Sequence, residues 1–252
     1  MVLAVSFFLI AFLYSSVGFG GGSSYLALLA LVLSSFFVIR STALICNLLV
    51  VSGSTYLYYK TGHFKGKAFL PFILSSIPLA FLGAIYKLEE QVFFRILGIA
   101  LILAAVALIW QTVQLGNTLK LVRYPKWISY LIGGAVGFLS GLVGIGGGIF
   151  LAPILNYLKW EQPLKIAALA SFFILVNSLA GIIGLLVSNT FMVSWVELST
   201  LAVAVVLGGQ LGVRLALFKV SPKAIRILTA LLVFFVGVRV LLIHGLEINL
   251  FT

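Results

Sequence analysis

The sequence predicts an all-α polytopic membrane protein: two inverted repeats of four hydrophobic segments, the first of each a glycine-broken re-entrant helical hairpin. Three observations carry this reading. Of 252 residues, 63% are hydrophobic and 8% charged, and mean hydropathy is +1.27; a bilayer solvates such a chain and water does not. Two nearly identical glycine runs, Val17-Gly18-Phe19-Gly20-Gly21-Gly22 and Val143-Gly144-Ile145-Gly146-Gly147-Gly148, interrupt long apolar stretches. The basic residues become one-sided only when those two stretches return to the face they entered from.

The hydrophobic segments run over about 2–34, 36–59, 68–86, 92–111, 128–158, 166–188, 193–218 and 224–243. The longest polar gap, 112–127, divides them into repeat one (1–111) and repeat two (128–252), with 112–127 as a cytoplasmic connector. The halves match at the glycine runs. They match again at Phe94-Arg95-Ile96-Leu97 against Ile225-Arg226-Ile227-Leu228, and at Leu82-Gly83 against Leu211-Gly212. Segments one and five are too long for simple spans. As continuous helix, Val2 to Ser34 would extend about 50 Å, against a hydrocarbon core of about 30 Å. Split at the glycines, each piece of about 12 to 15 residues is too short to cross. A broken spanning helix and a re-entrant hairpin both fit these lengths.

Positive charge chooses between them. With eight crossings, one face collects seven Lys/Arg and the other nine. With segments one and five re-entrant, one face holds Lys60, Lys65, Lys67, Lys120, Arg123, Lys126, Lys159, Lys165, Arg214, Lys219, Lys223 and Arg226. The other keeps Arg40, Lys87, Arg95 and Arg239. Twelve against four is the asymmetry of a membrane protein with its basic loops in the cytoplasm. Three spans per half then invert the halves, and both termini are extracytoplasmic.

Triple glycine inside an apolar run weakens helix and bares backbone. Non-helical backbone at membrane depth is tolerated where it is buried in protein or lines a cavity, and paired breaks point to a transport site. Half-helices beginning near Ser23 and Ile149 would aim unpaired N–H groups at one centre, an anion site built from backbone without an embedded Lys or Arg. The candidate ligands are Gly18, Gly20, Gly21, Gly22, Ser23, Gly144, Gly146, Gly147 and Gly148. Asn47 and Asn177 join them as nearest equivalents deep in segments two and six; each is a substrate ligand or an interhelical hydrogen bond. Thr42, Ser171 and Gln210 are further candidates, Thr42 and Ser171 being residues that more often bond their own helix. Ser16, Ser24 and Ser140 add hydroxyls near the breaks. Arg40 and Lys165, at the entrances to segments two and six, either attract anions or snorkel to the interface. The spaced glycines Gly133, Gly137, Gly141, Gly208 and Gly212 are read as helix contacts.

Several classes are excluded. The basic balance of +11 comes without a soluble face for nucleic acid. The glycine runs lack the lysine of a P-loop and any βαβ setting. The chain has no Asp; Glu89, Glu90, Glu161, Glu197 and Glu247 fall in loops or near segment ends, with only Glu197 a candidate for a span. No Glu/His cluster or nucleophile set stands out, so neither a metal, a cofactor nor an enzymatic role is expected. Cys46 alone permits no internal disulfide.

Gly18-Phe19-Gly20-Gly21-Gly22, Gly141-Leu142-Val143-Gly144-Ile145-Gly146-Gly147-Gly148 and the Leu-Gly-x-Arg stretch at Leu211–Arg214 resemble the TauE/SafE family of sulfite-exporter-like permeases, over nearly the whole chain. The first half lacks the arginine of that stretch. The family's Thr-Ser pair is replaced by Ser41-Thr42 and a lone Ser171. The resemblance implies a transporter of a small sulfur-containing anion, sulfite or an organosulfonate, in the cell (inner) membrane. Its partners would be a small anionic substrate and membrane lipid. Export by alternating access is the expected mode; an ion-coupled importer and an anion channel are the alternatives.

Overall fold

The computed structural model describes residues 2–30, 32–33, 35–114, 121–217 and 222–246. Its described residues form ten α-helices and no strand. They are α1 (Val2–Ser15), α2 (Gly22–Leu29), α3 (Phe36–Lys60), α4 (Gly66–Ile85), α5 (Glu90–Gln114), α6 (Lys126–Val143), α7 (Gly148–Tyr157), α8 (Pro163–Val187), α9 (Trp195–Leu217) and α10 (Pro222–Val240). A π-turn, Leu241–Gly245, extends α10. Both long apolar segments break at their glycines, and the second half-helices start one residue earlier than expected, at Gly22 and Gly148.

The arms are less equal than the sequence suggested. α1 has 14 residues and α2 has 8; α6 has 18 and α7 has 10. Seven helices are long and apolar enough to cross a membrane, α6 among them, where six were expected. α6 gains its length because Lys126 and Trp127, polar and interfacial residues, join its first turn. The connector is shorter than 112–127 for the same reason, and because α5 continues to Gln114. Lys120, Lys219 and both chain ends lie outside the described residues, as does the side chain of Lys223.

Helix packing follows small residues. α6 lies along α4 and α1 along α9. A methyl group on Gly133 would stand 2.5 Å from the Phe72 carbonyl oxygen, and one on Gly137 2.6 Å from Ser76 Cα. On α9, Gly208 and Gly212 press in the same way on the Phe8 and Phe12 carbonyls. These glycines let backbones touch, the small-xxx-small contact of membrane helices. Gly137→Ala should therefore cost about 1–3 kcal/mol, read as a lower melting temperature of the purified protein. The obstructing atom is backbone and cannot turn aside.

Other extensive pairs are α3 with α8 and α9, α8 with α4, and α5 with α10, and smaller ones join α5 to α7 and α10 to α2. Advancing every helix by five places turns α1–α9 into α6–α4, α3–α9 into α8–α4, and α5–α7 into α10–α2. Several bonds fix the ends. Met192 N–H donates to Ser41 Oγ (3.2 Å) near the start of α3, and Lys65 Nζ meets Glu161 Oε2 (2.8 Å) beyond its end, so α3 and α8 run antiparallel. At that second end, Tyr124 Oη donates to the Leu158 carbonyl (3.1 Å) and Val122 N–H to that of Lys159 (3.1 Å). In the first segment, Phe7 stacks on Tyr25 with ring centroids 4.6 Å apart, and Tyr14 Oη lies 2.7 Å from Ser24 Oγ.

Candidate functional site

Both breaks are buried: residues 18–26 and 143–153 are all enclosed by protein. Gly18, Gly21, Gly144, Gly146 and Gly147 take positive φ, a backbone that side chains disfavour. Turns close the C-terminal sides of α1 and α6. Phe19 N–H bonds the Tyr14 carbonyl (2.8 Å) and Gly144 N–H that of Ser140 (2.7 Å). Beyond those turns, no acceptor among the described residues meets the backbone N–H groups of residues 20–24 or 145–149. The first helical bonds are Tyr25 N–H to Gly21 and Phe150 N–H to Gly147.

Asn47, fully buried on α3, touches both breaks. Its Nδ2 donates to the Ile145 carbonyl (3.1 Å) and to Ser178 Oγ (3.3 Å). A methyl on Gly20 would overlap its Oδ1, and methyls on Gly22 and Gly146 would stand 3.0 and 2.8 Å from its Nδ2. Oδ1 itself has no hydrogen-bond partner among the described residues. Asn47, Gly20, Gly22 and Gly146 are thus brought to one place.

The local neighbours correct the expected pairing of Asn47 with Asn177. Gly22 faces Asn47, and its counterpart Gly148 faces Ile174. Gly20 faces Val51, and Gly146 faces Ser178. Residue 174 therefore holds the place of 47, and 178 that of 51. The polar group falls on a different turn in each half. Asn177, 1% exposed, has neither amide atom bonded among the described residues.

The other candidates scatter around this centre. Ser171, expected to bond its own helix, donates instead to the Gly18 carbonyl (3.1 Å), because that turn leaves the carbonyl free of helix. Ser23 is tied to Tyr14 Oη at 3.2 Å. Thr42 and Ser140 are both buried, neither hydroxyl being bonded among the described residues. Ser16 bonds the Leu13 carbonyl of its own helix (2.6 Å). Gly21 packs on Tyr25, and Gly147 on Phe173. Gln210 lies over Gly53, almost two turns along α3 from Asn47. Glu197 stands in the first turn of α9.

One residue was missed and another misplaced. Ser178 sits in an apolar stretch, beside the more conspicuous Asn177. Arg40 was placed at a segment entrance, yet it is 4% exposed and donates from Nη2 to the Gly141 (2.6 Å) and Leu142 (3.1 Å) carbonyls. The break leaves those last carbonyls of α6 without helical donors, so a cation is held there rather than snorkelling. An embedded arginine was not expected at the breaks. Lys165 instead pairs with Glu161 (3.4 Å).

Residues 3–240 match the family described as Sulfite exporter TauE/SafE. The chain belongs to the TauE/SafE sulfite exporter family. It is similar to the probable membrane transporter protein y4hK of Sinorhizobium fredii, 32% identical over 241 residues, covering 95% of this chain and 97% of that one. It is also similar to the probable membrane transporter protein MJ0441 of Methanocaldococcus jannaschii, 33% identical over 129 residues, 48% of this chain and 47% of the relative. A third is the probable membrane transporter protein YunE of Bacillus subtilis, 28% identical over 118 residues, 47% and 42% of the two chains. No solved structure matches. This TauE/SafE chain is thus a multi-pass protein of a membrane-transporter family.

At one end of this TauE/SafE bundle, Glu161 ties the loop after α3 to the start of α8 through Lys65 and Lys165. Burial raises its carboxyl pKa, but hydrogen bonds from Lys65 and the Gln162 N–H, with the two lysine charges, outweigh this and hold it below the usual value. A depressed carboxylate stabilises the fold above its unfolded pKa of about 4.3. That stability is lost as pH falls through the lower folded value. Melting temperature should fall on this acid limb in the native chain, and Glu161→Gln should flatten the fall.

Proposed function

We propose that this chain exports a small sulfur-containing anion, sulfite or an organosulfonate, by alternating access, with the anion held between the two glycine breaks. The observation that carries the reading is the pair of buried, acceptor-free amide runs at residues 20–24 and 145–149, joined by Asn47. Buried N–H groups are rarely left without a partner. An oxyanion supplies several acceptors at once, and helix N-termini favour its charge. The family's description supplies the sulfur chemistry.

In this proposal the broken segments are re-entrant hairpins of two inverted repeats (1–111 and 128–252), entering from opposite faces. The meeting of Tyr124 with Leu158, either side of the second break, supports the return of that segment to its starting face. Phe7 against Tyr25 supports the same for the first. Gly18, Gly20, Gly21, Gly22, Ser23, Gly144, Gly146, Gly147, Gly148, Asn47, Asn177, Thr42 and Ser171 line or brace the site, with Gln210 on its periphery. An inside-negative potential drives an anion outward by roughly 2.3 kcal/mol per charge per 100 mV, so export needs no coupling ion. The twelve-to-four distribution of basic residues supports a topology with both termini outside.

Purified protein in liposomes, offered sulfite, sulfate, thiosulfate, taurine and sulfoacetate, tests the function. Saturable flux with counterflow of at least one is expected. Unsaturable flux would mean a channel, and no flux of any would defeat the reading. A reporter fused after Thr252 should be extracytoplasmic; a cytoplasmic signal would overturn the topology.

A further inference from the structure

We infer that Arg40 is the counter-charge of the transported anion, its free guanidinium edge forming a subsite at the second break. This rests on the anion-transport reading above. Arg40 lies in the second turn of α3, 4% exposed. Its Nη2 protons go to the Gly141 and Leu142 carbonyls, and its guanidinium carbon lies 5.8 Å from the centroid of the Phe93 ring. Nε has no partner. Among the described residues, no carboxylate pairs with Arg40; the ion pairs there both belong to Glu161.

A buried full charge met by two carbonyls and a ring face is incompletely compensated, since a helix C-terminus offers about half a negative charge. In a membrane protein such an arginine calls for an anion. Nε and Nη2 share one edge of the planar guanidinium, and that edge matches two oxygens of an oxyanion. The anion would take the free Nε–H and displace the longer bond, 3.1 Å to Leu142, from Nη2. Gly144 keeps that edge clear: a methyl there would stand 3.2 Å from Nε. Among the described residues, the first break has no such group. Gly18 is covered by Ala167, whose Cβ would be 2.6 Å from a methyl on Gly18. The subsite is therefore one-sided, on the break that enters through α6.

The test compares Arg40→Gln, Arg40→Lys and Gly144→Ala with the native chain in liposomes, using whichever of sulfite, sulfate, thiosulfate, taurine or sulfoacetate the native chain carries. Glutamine keeps a donor for the α6 carbonyls and loses the charge. Lysine keeps the charge. The Gly144 methyl blocks Nε and leaves the charge, and gives the answer if Arg40→Gln does not fold. KM should rise roughly tenfold or more in Arg40→Gln and Gly144→Ala, and by less in Arg40→Lys, at unchanged elution in detergent. Native KM in folded Arg40→Gln or in folded Gly144→Ala would overturn the assignment of Arg40 alone. A native chain that carries none of the five anions would overturn the transport reading and this inference together.

Discussion

Gly146→Ala should lower anion flux by about two orders of magnitude and lower the melting temperature as well. Gly146 has φ +77°, and a left-handed conformation costs a residue with a Cβ roughly 1–2 kcal/mol. The new methyl would stand 2.5 Å from Ile174 Cγ2, 2.8 Å from Asn47 Nδ2 and 3.1 Å from Ser178 Oγ. Overpacking of this kind adds about 1–3 kcal/mol. The side chains that must retreat are Ile174, the Asn47 amide and the serine it bonds, so relief of the clash disturbs the contact between the breaks. Gly62→Ala separates the two costs. Gly62 also has positive φ (75°), with nothing within 4 Å of its missing Cβ. It should lose about 1 kcal/mol and keep its flux. Equal flux in the two variants would remove the second break from the site.

The asparagines should part company when each is replaced by leucine. Asn47→Leu removes two hydrogen bonds and strands the buried Ile145 carbonyl, at a cost of about 1–3 kcal/mol. Flux should fall with stability. Asn177→Leu removes an amide that bonds nothing among the described residues. Exchanging an unpaired buried polar group for an apolar one is neutral or stabilising. A melting temperature held or raised, together with weaker anion affinity, would mark Asn177 as a ligand retained at the expense of stability. Unchanged affinity would take it off the list. Thermal melts and KM from the same preparations decide between these.

Much of the fold was legible because bilayer physics acts on composition and length. A run from Val2 to Ser34 cannot be one helix, and its glycines marked the break to within a residue. The spaced glycines of α6 and α9 read as contacts for the same physical reason that the structure displays, the absence of a Cβ. The unequal arms were not legible, because Lys126 and Trp127 look like loop residues until a helix is seen to begin with them. Asn47 stood out as a polar group at depth. Its partners did not: Ser178 is set by the rotation of α8 against α3, which hydropathy does not record. Arg40 was misplaced because a charge four residues into a segment is ordinarily interfacial. What holds it inside is a carbonyl pair more than a hundred residues away in sequence, exposed by the very break the sequence had revealed.

The helix pairs carry a consequence for how such a chain is assembled. α1 beds on α9, and α6 beds on α4, so each glycine-broken arm lies against a helix from the opposite half. The two halves are embraced like the subunits of an arm-exchanged dimer fused into one chain. Neither half, made alone, would contain the cradle for its own arm, and during synthesis α1 must wait for α9, some two hundred residues later, before its small-residue seam can close.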